Sequence, residues 1–145
     1  MLNKALEICY EAHKNQLDKA NKPYILHPIN VALRCETEEQ KIVALLHDVV
    51  EDSNITLDYL AKYFNSNIIE AVKCLTKEKK CDIRDYYFKI KNNELARVVK
   101  INDLLHNMNL SRLSEITEKD IKRNNNYAVY LNFLKKGWLN DRNTS

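Results

Sequence analysis

Apolar residues recur at intervals of three and four along most of this chain, and that period predicts helices. Leu2, Ala5, Leu6, Cys9, Ala12 and Gln16 share that spacing, so residues from about 2 to 17 are expected to form an amphipathic helix. A polar loop from Asp18 to Leu26 follows, carrying Lys19, Lys22 and Pro23. Pro28 suits the first position of a second helix running to about Arg34, where its missing N–H is not needed. Thr37 is expected to cap a third helix, with Glu38 and Glu39 in a first turn that favours negative charge. Its centre, Ile42-Val43-Ala44-Leu45-Leu46, is apolar on nearly every side, the pattern of a buried central helix.

The pattern breaks at Asp52-Ser53-Asn54. Thr56 can cap a fourth helix carrying Leu57, Leu60, Ala61 and Phe64, and a fifth spans about Asn67 to Thr76. Asp82 can cap a sixth, with Ile83, Tyr86, Tyr87 and Ile90. Asn92 or Asn93 opens a seventh, whose apolar stripe is Leu95, Val98, Ile101, Leu105 and Met108. The last starts near Thr117, shows Tyr127, Tyr130, Leu131, Leu134 and Trp138, and is expected to end at Gly137. The expectation is an all-α bundle of about eight helices in a single domain, residues 1–139, with a polar tail over 140–145.

Composition narrows this further. One Gly and two Pro in 145 residues argue against a turn-rich β fold. The single Gly also excludes any Gly-rich phosphate loop, so a nucleotide site here has to use side chains and metal. A net charge of +3 with no dense basic run does not point to nucleic acid as a partner. No stretch has the apolar length of a membrane span. Cys9, Cys35, Cys74 and Cys81 form no C-x-x-C pair, and no secretion signal precedes the first helix. They are expected to be free thiols in a reducing cytoplasm, mostly in core positions.

His47-Asp48 is the first candidate for chemistry. Two metal-binding side chains in the middle of an apolar run are costly unless something satisfies them. Glu51 lies four residues after His47 and Asp52 four after Asp48, a spacing that stacks side chains on one helix face. Three carboxylates and an imidazole that close call for a cation or wide exposure. His27, before Pro28, reads by itself sooner as a structural residue than as a ligand, and Asp103, inside an apolar helix but off its core stripe, reads by itself as part of a solvated polar face.

In order, His … His-Asp … Asp resembles the HD superfamily of metal-dependent phosphohydrolases. Ala12-His13, Pro23-Tyr24-Ile25-Leu26-His27-Pro28, Ala44-Leu45-Leu46-His47-Asp48-Val49-Val50-Glu51-Asp52, and Val99-Lys100-Ile101-Asn102-Asp103 through His106-Asn107-Met108 resemble one branch more closely. That branch is the hydrolase domain of enzymes acting on the alarmone guanosine tetra- or pentaphosphate, in its small stand-alone form. The resemblance implies that His27, His47, Asp48 and Asp103 bind one metal, usually Mn²⁺. Two imidazoles and two carboxylates also suit Fe or Zn. It implies that Glu51 and Asp52 position and deprotonate the attacking water, that Asn107 orients the substrate, and that Lys19 pairs with its phosphates. His106 is expected beside the site as a supporting or packing residue.

The chain departs from the family on the substrate side. Asp18-Lys19-Ala20-Asn21 stands where the family has Arg-Lys-Ser-Gly, Leu104 where it commonly has Arg, and Asn109-Leu110 where it often has Arg-Thr. An Asp in place of that Arg repels phosphate and does not stack on a purine. The leading expectation is removal of the 3′-pyrophosphate from the alarmone. A second keeps the chemistry on another nucleotide or phosphorylated small molecule. A third is a nucleotide-binding regulatory module without turnover.

Overall fold

The computed structural model describes residues 1–109, 113 and 115–143, with side chains through residue 135. The described residues form an all-helical bundle: α1 (Leu2–His13), α2 (Leu26–Leu33), α3 (Glu38–Leu46), α4 (Val49–Asp52), α5 (Leu57–Ala61), α6 (Ser66–Leu75), α7 (Ile83–Lys91), α8 (Glu94–Asn107) and α9 (Glu118–Asn143).

α3 is the axis. Thr37 and Gln40 close a reciprocal capping box, in which the Gln40 amide donates to Thr37 Oγ1 and the Gln40 side chain accepts from the Thr37 amide. Such a cap stabilises a helix by about 1 kcal/mol. Ile42 through Leu46 are all buried, as their unbroken apolar run requires. α1, α2, α6 and α8 pack around them. Similar side-chain caps start the later helices: Thr56 for α5, Asn65 for α6, Asp82 for α7 and Asn93 for α8. Cys9 and Cys35 are in the core, and Cys74 and Cys81 are half-buried free thiols.

Four expectations from the sequence are corrected. α1 stops at His13 rather than about residue 17, and the chain turns there, with the Gln16 amide donating to the His13 carbonyl at 3.0 Å. The third helix, expected to be continuous to Glu51, splits at His47-Asp48 into α3 and α4. The reason is local. The Ala44 carbonyl, whose helical partner would be the Asp48 amide, accepts the His47 ring N–H instead. Asp48 then takes φ −109°, ψ 1°, outside the helical basin.

The stripe of α8 is rotated by one residue. Its buried positions are Ala96, Val99, Asp103 and Leu104, so Asp103 lies on the inward face and not off it. The periodicity of apolar residues misses this because an acid occupies a core position. Finally, the backbone of α9 stays helical past Gly137 to Asn143. Trp138, Leu110 and the terminal Thr144 and Ser145 lie outside the described side chains or residues.

Candidate metal centre and adjoining cavity

Three elements converge on one buried cluster. α2 supplies His27 from its first turn, the α3–α4 break supplies His47 and Asp48, and α8 supplies Asp103. His27, His47 and Asp103 are 5 %, 2 % and 4 % exposed, and each offers a ligand atom within 4.8 Å of the others. His27 Nε2 lies 2.6 Å from Asp103 Oδ1. His47 Nε2 lies 3.4 Å from the same oxygen and 3.1 Å from Asp48 Oδ2. Asp48 is the more open member, and its Oδ2 also accepts the Tyr24 hydroxyl.

The outward nitrogens are occupied. His47 Nδ1 faces the Ala44 carbonyl, a bond in which only the ring can donate. His27 Nδ1 lies 2.7 Å from His106 Nδ1, with the two rings stacked at 4.9 Å. Each imidazole therefore turns Nε2 inward, as metal-bound imidazoles do when a second contact fixes the tautomer. His47 Nε2 is buried and without a hydrogen-bond partner, although two carboxylate oxygens stand close by. A lone pair facing two anions in a buried site needs a cation between them. The donor set fits a divalent transition metal.

The surrounding charges say the same. Burial works against a charge on His47, but Asp48 and Asp103 outweigh it and hold the imidazole well above its ordinary pKa. Burial likewise opposes ionised Asp103, yet Lys100, then His27 and His47, keep its carboxyl well below the usual range. Lys100 Nζ sits 2.9 Å from Asp103 Oδ2, over the rings of Tyr86 and Tyr87. Tyr86 and Tyr87 thus pack around this lysine. Lys100 engages one oxygen of Asp103 and leaves the other to the cluster.

His106 emerges as the support for His27. His106→Ala is expected to weaken manganese binding by about 10- to 100-fold, the usual effect of losing such a contact. Titration calorimetry with Mn²⁺ measures it, and affinity equal to wild type removes this role.

Glu51 and Asp52 are both exposed on α4 but differ in their contacts. Glu51 Oε1 accepts the Lys77 amide. Burial raises the Glu51 carboxyl above its ordinary pKa, the Lys77 amide opposes this, and Asp48 and Asp52 add to it. Asp52 Oδ2 accepts from Gln16 Nε2 at 3.2 Å.

A cavity of about 260 Å³ adjoins the cluster. Tyr24 and Asn107 line it and also touch the cluster, Tyr24 through Asp48 and Asn107 through Asp103 at 3.3 Å. Lys19 lines it from the loop after α1. Asp18 builds that loop: its Oδ1 accepts the Ala20 and Lys22 amides at 2.8 and 3.0 Å. Asn21 takes φ 60°, the left-handed conformation that Gly enters freely and Asn tolerates best of the rest. The Asp18 carboxylate is thus engaged by backbone, while Lys19 remains in the cavity wall. The far wall is α9, through Asp120, Arg123, Asn124 and Tyr127. Asn124 Oδ1 is buried without a partner, an acceptor available to a ligand donor. No short motif marks these α9 residues, so the sequence alone does not find them. Tyr24 was legible only as part of the Pro23-Tyr24 wording.

No family profile matches the chain. The sequence is 31 % identical over 120 residues to guanosine-3′,5′-bis(diphosphate) 3′-pyrophosphohydrolase of Borreliella burgdorferi, covering 72 % of this chain and 18 % of that protein. It is 36 % identical over 80 residues to the protein of the same name from Aquifex aeolicus, covering 52 % and 12 %. It is also 32 % identical over 130 residues to the putative GTP diphosphokinase RSH1 of Arabidopsis thaliana, covering 74 % and 15 %. The chain thus spans less than a fifth of the length of these relatives. In structure it is similar to a metazoan ortholog of SpoT that hydrolyses ppGpp, with TM-score 0.74 and 21 % identity, covering 92 % of this chain and 84 % of that one. The fold is the HD-type helical bundle. Over most of its length the sequence is similar to part of a protein named a 3′-pyrophosphohydrolase.

Proposed function

We propose that this protein is a metal-dependent phosphohydrolase that removes the 3′-pyrophosphate from guanosine tetraphosphate or pentaphosphate. The observation that carries the reading is the buried, unpartnered His47 Nε2, aimed with His27 Nε2 at the Asp103 carboxylate. The similarity to named 3′-pyrophosphohydrolases supports the substrate.

His27, His47 and Asp103 hold the metal, and Asp48 completes the set from the edge of the cluster. We take Mn²⁺ as the ion on the family resemblance; two imidazoles and two carboxylates suit Fe or Zn as well. When bound, the ion supplies Lewis acidity at a phosphoryl oxygen. The protein's own groups do the rest. Water attacks the phosphorus bonded to the ribose 3′-oxygen and its proton passes to the Asp52 carboxylate; the P–O3′ bond breaks, pyrophosphate leaves, and the ribose oxygen takes a proton from solvent to become the 3′-hydroxyl. Lys19 and Arg123, the latter also paired with Asp120 at 3.3 Å, line the cavity and supply positive charge for the phosphates. Asn107 spans cavity and cluster and fixes the substrate relative to Asp103. None of the described helices is long and apolar enough to cross a membrane, and we place the activity in the cytoplasm.

Manganese-loaded protein is expected to release pyrophosphate from guanosine tetraphosphate. Lys19→Ala and Arg123→Ala are each expected to raise KM about tenfold with a smaller change in kcat, the loss of one charge-assisted contact to phosphate. A second reading, another phosphorylated nucleotide, is favoured by the Asp18 and Asp120 carboxylates in the cavity wall. A substrate panel decides: turnover of another nucleotide without turnover of the alarmone selects the second.

A further inference from the structure

The chain His13–Gln16–Asp52 joins a buried imidazole on α1 to an acid on α4. Gln16 Nε2 donates to Asp52 Oδ2 at 3.2 Å, and Gln16 Oε1 lies 2.8 Å from His13 Nδ1. The polarity of this chain is forced. An ionised carboxylate only accepts, so the Gln16 amide must present N–H to Asp52 and oxygen to His13. His13 must then carry its proton on Nδ1. Its Nε2 is left as a bare acceptor, and that nitrogen is buried without a partner in a residue only 1 % exposed. Such an orphan is uncommon in a folded core and calls for a reason.

The chain is well anchored. The Gln16 amide donates to the His13 carbonyl and the Gln16 carbonyl accepts the Tyr24 amide at 2.8 Å. The Tyr24 ring packs on His13 at 5.0 Å, and its hydroxyl donates to Asp48. Gln16 is therefore fixed to the same tyrosine that touches the metal cluster. Asp52 Oδ2 is held, while Oδ1 takes no hydrogen bond among the described residues. Glu51, the other acid, has an oxygen committed to the Lys77 amide.

We infer that Gln16 and His13 are positioning residues that clamp Asp52 by one oxygen so that the other serves as the proton acceptor in hydrolysis. This rests on the proposed hydrolysis for its purpose. The His13 tautomer does not depend on it.

Two measurements on the full chain test the clamp. Long-range ¹H–¹⁵N spectra should show His13 protonated at Nδ1 in the wild type, and Gln16→Met should abolish that state. With manganese and guanosine tetraphosphate, Gln16→Met should lower kcat by about 10²-fold, the scale of a misplaced reacting group, with KM within about twofold. Gln16→Glu keeps the acceptor for His13 but sets a carboxylate against Asp52, so it should not rescue kcat. On an Asp52→Asn background, Gln16→Met should cost nothing further. An active wild type with His13 protonated at Nε2, or additive losses in the double variant, overturns the clamp alone. A wild type that turns over no phosphoester overturns the hydrolysis and this role with it.

Discussion

Asp103→Asn is expected to abolish metal binding and to lower pyrophosphate release on the order of 10³-fold. Asp103 is the hub of the cluster. One oxygen faces both inward imidazole nitrogens, and the other pairs with Lys100. Loss of the carboxylate removes an anion that the cation needs. A bound metal contributes several kcal/mol of transition-state stabilisation, and each 1.36 kcal/mol is tenfold in rate. The same change also leaves Lys100, 15 % exposed, as a buried charge without its partner. Breaking a buried pair in this way costs about 3–5 kcal/mol of stability. The two effects separate in the double variant Lys100→Met/Asp103→Asn, which should recover stability in a denaturant melt but neither metal content nor turnover. Full manganese occupancy in Asp103→Asn, by elemental analysis, would refute the assignment.

The cluster also fixes a pH dependence. Asp48 and Asp103 raise the pKa of His47 against the opposing effect of burial, so a proton competes with metal for its Nε2. Metal has to displace that proton. Apparent manganese affinity should therefore climb as pH rises toward the raised value, with proton release detectable by calorimetry in buffers of different ionisation enthalpy.

Asp52→Asn should reduce kcat by about 10²- to 10⁴-fold, the usual contribution of a general base, with little change in KM. Glu51→Gln should cost clearly less. Both acids lie on the short α4, but only Asp52 is tied to α1 through Gln16, whereas Glu51 caps the Lys77 amide. Steady-state kinetics of the two variants compare them directly. A larger loss in Glu51→Gln would exchange the two roles.

Helix content, the central place of Ile42 through Leu46, and the capping positions Thr37, Thr56 and Asp82 followed from spacing and end-residue chemistry. These are local properties, decided within a few turns of chain. His47-Asp48 with Glu51-Asp52 was legible for the same reason: buried polar residues in an apolar run need compensation. His27 and Asp103 became candidates only through the wording around them, because a lone His or Asp carries no local signal.

What only the tertiary structure decided is which groups face one another. His27 and Asp103 lie on α2 and α8 and His47 in the break after α3, and their convergence depends on how α2, α3 and α8 pack. The inward face of α8 was misjudged because the stripe was drawn through apolar residues, whereas Asp103 is buried by its partners and not by hydrophobicity. The break between α3 and α4 depends on the His47 ring taking a backbone carbonyl. The α9 wall of the cavity, from Asp120 to Tyr127, faces a loop about a hundred residues earlier in the chain. Local sequence fixes which residues can be helical or charged, but burial and pairing are long-range and are settled only when the helices meet.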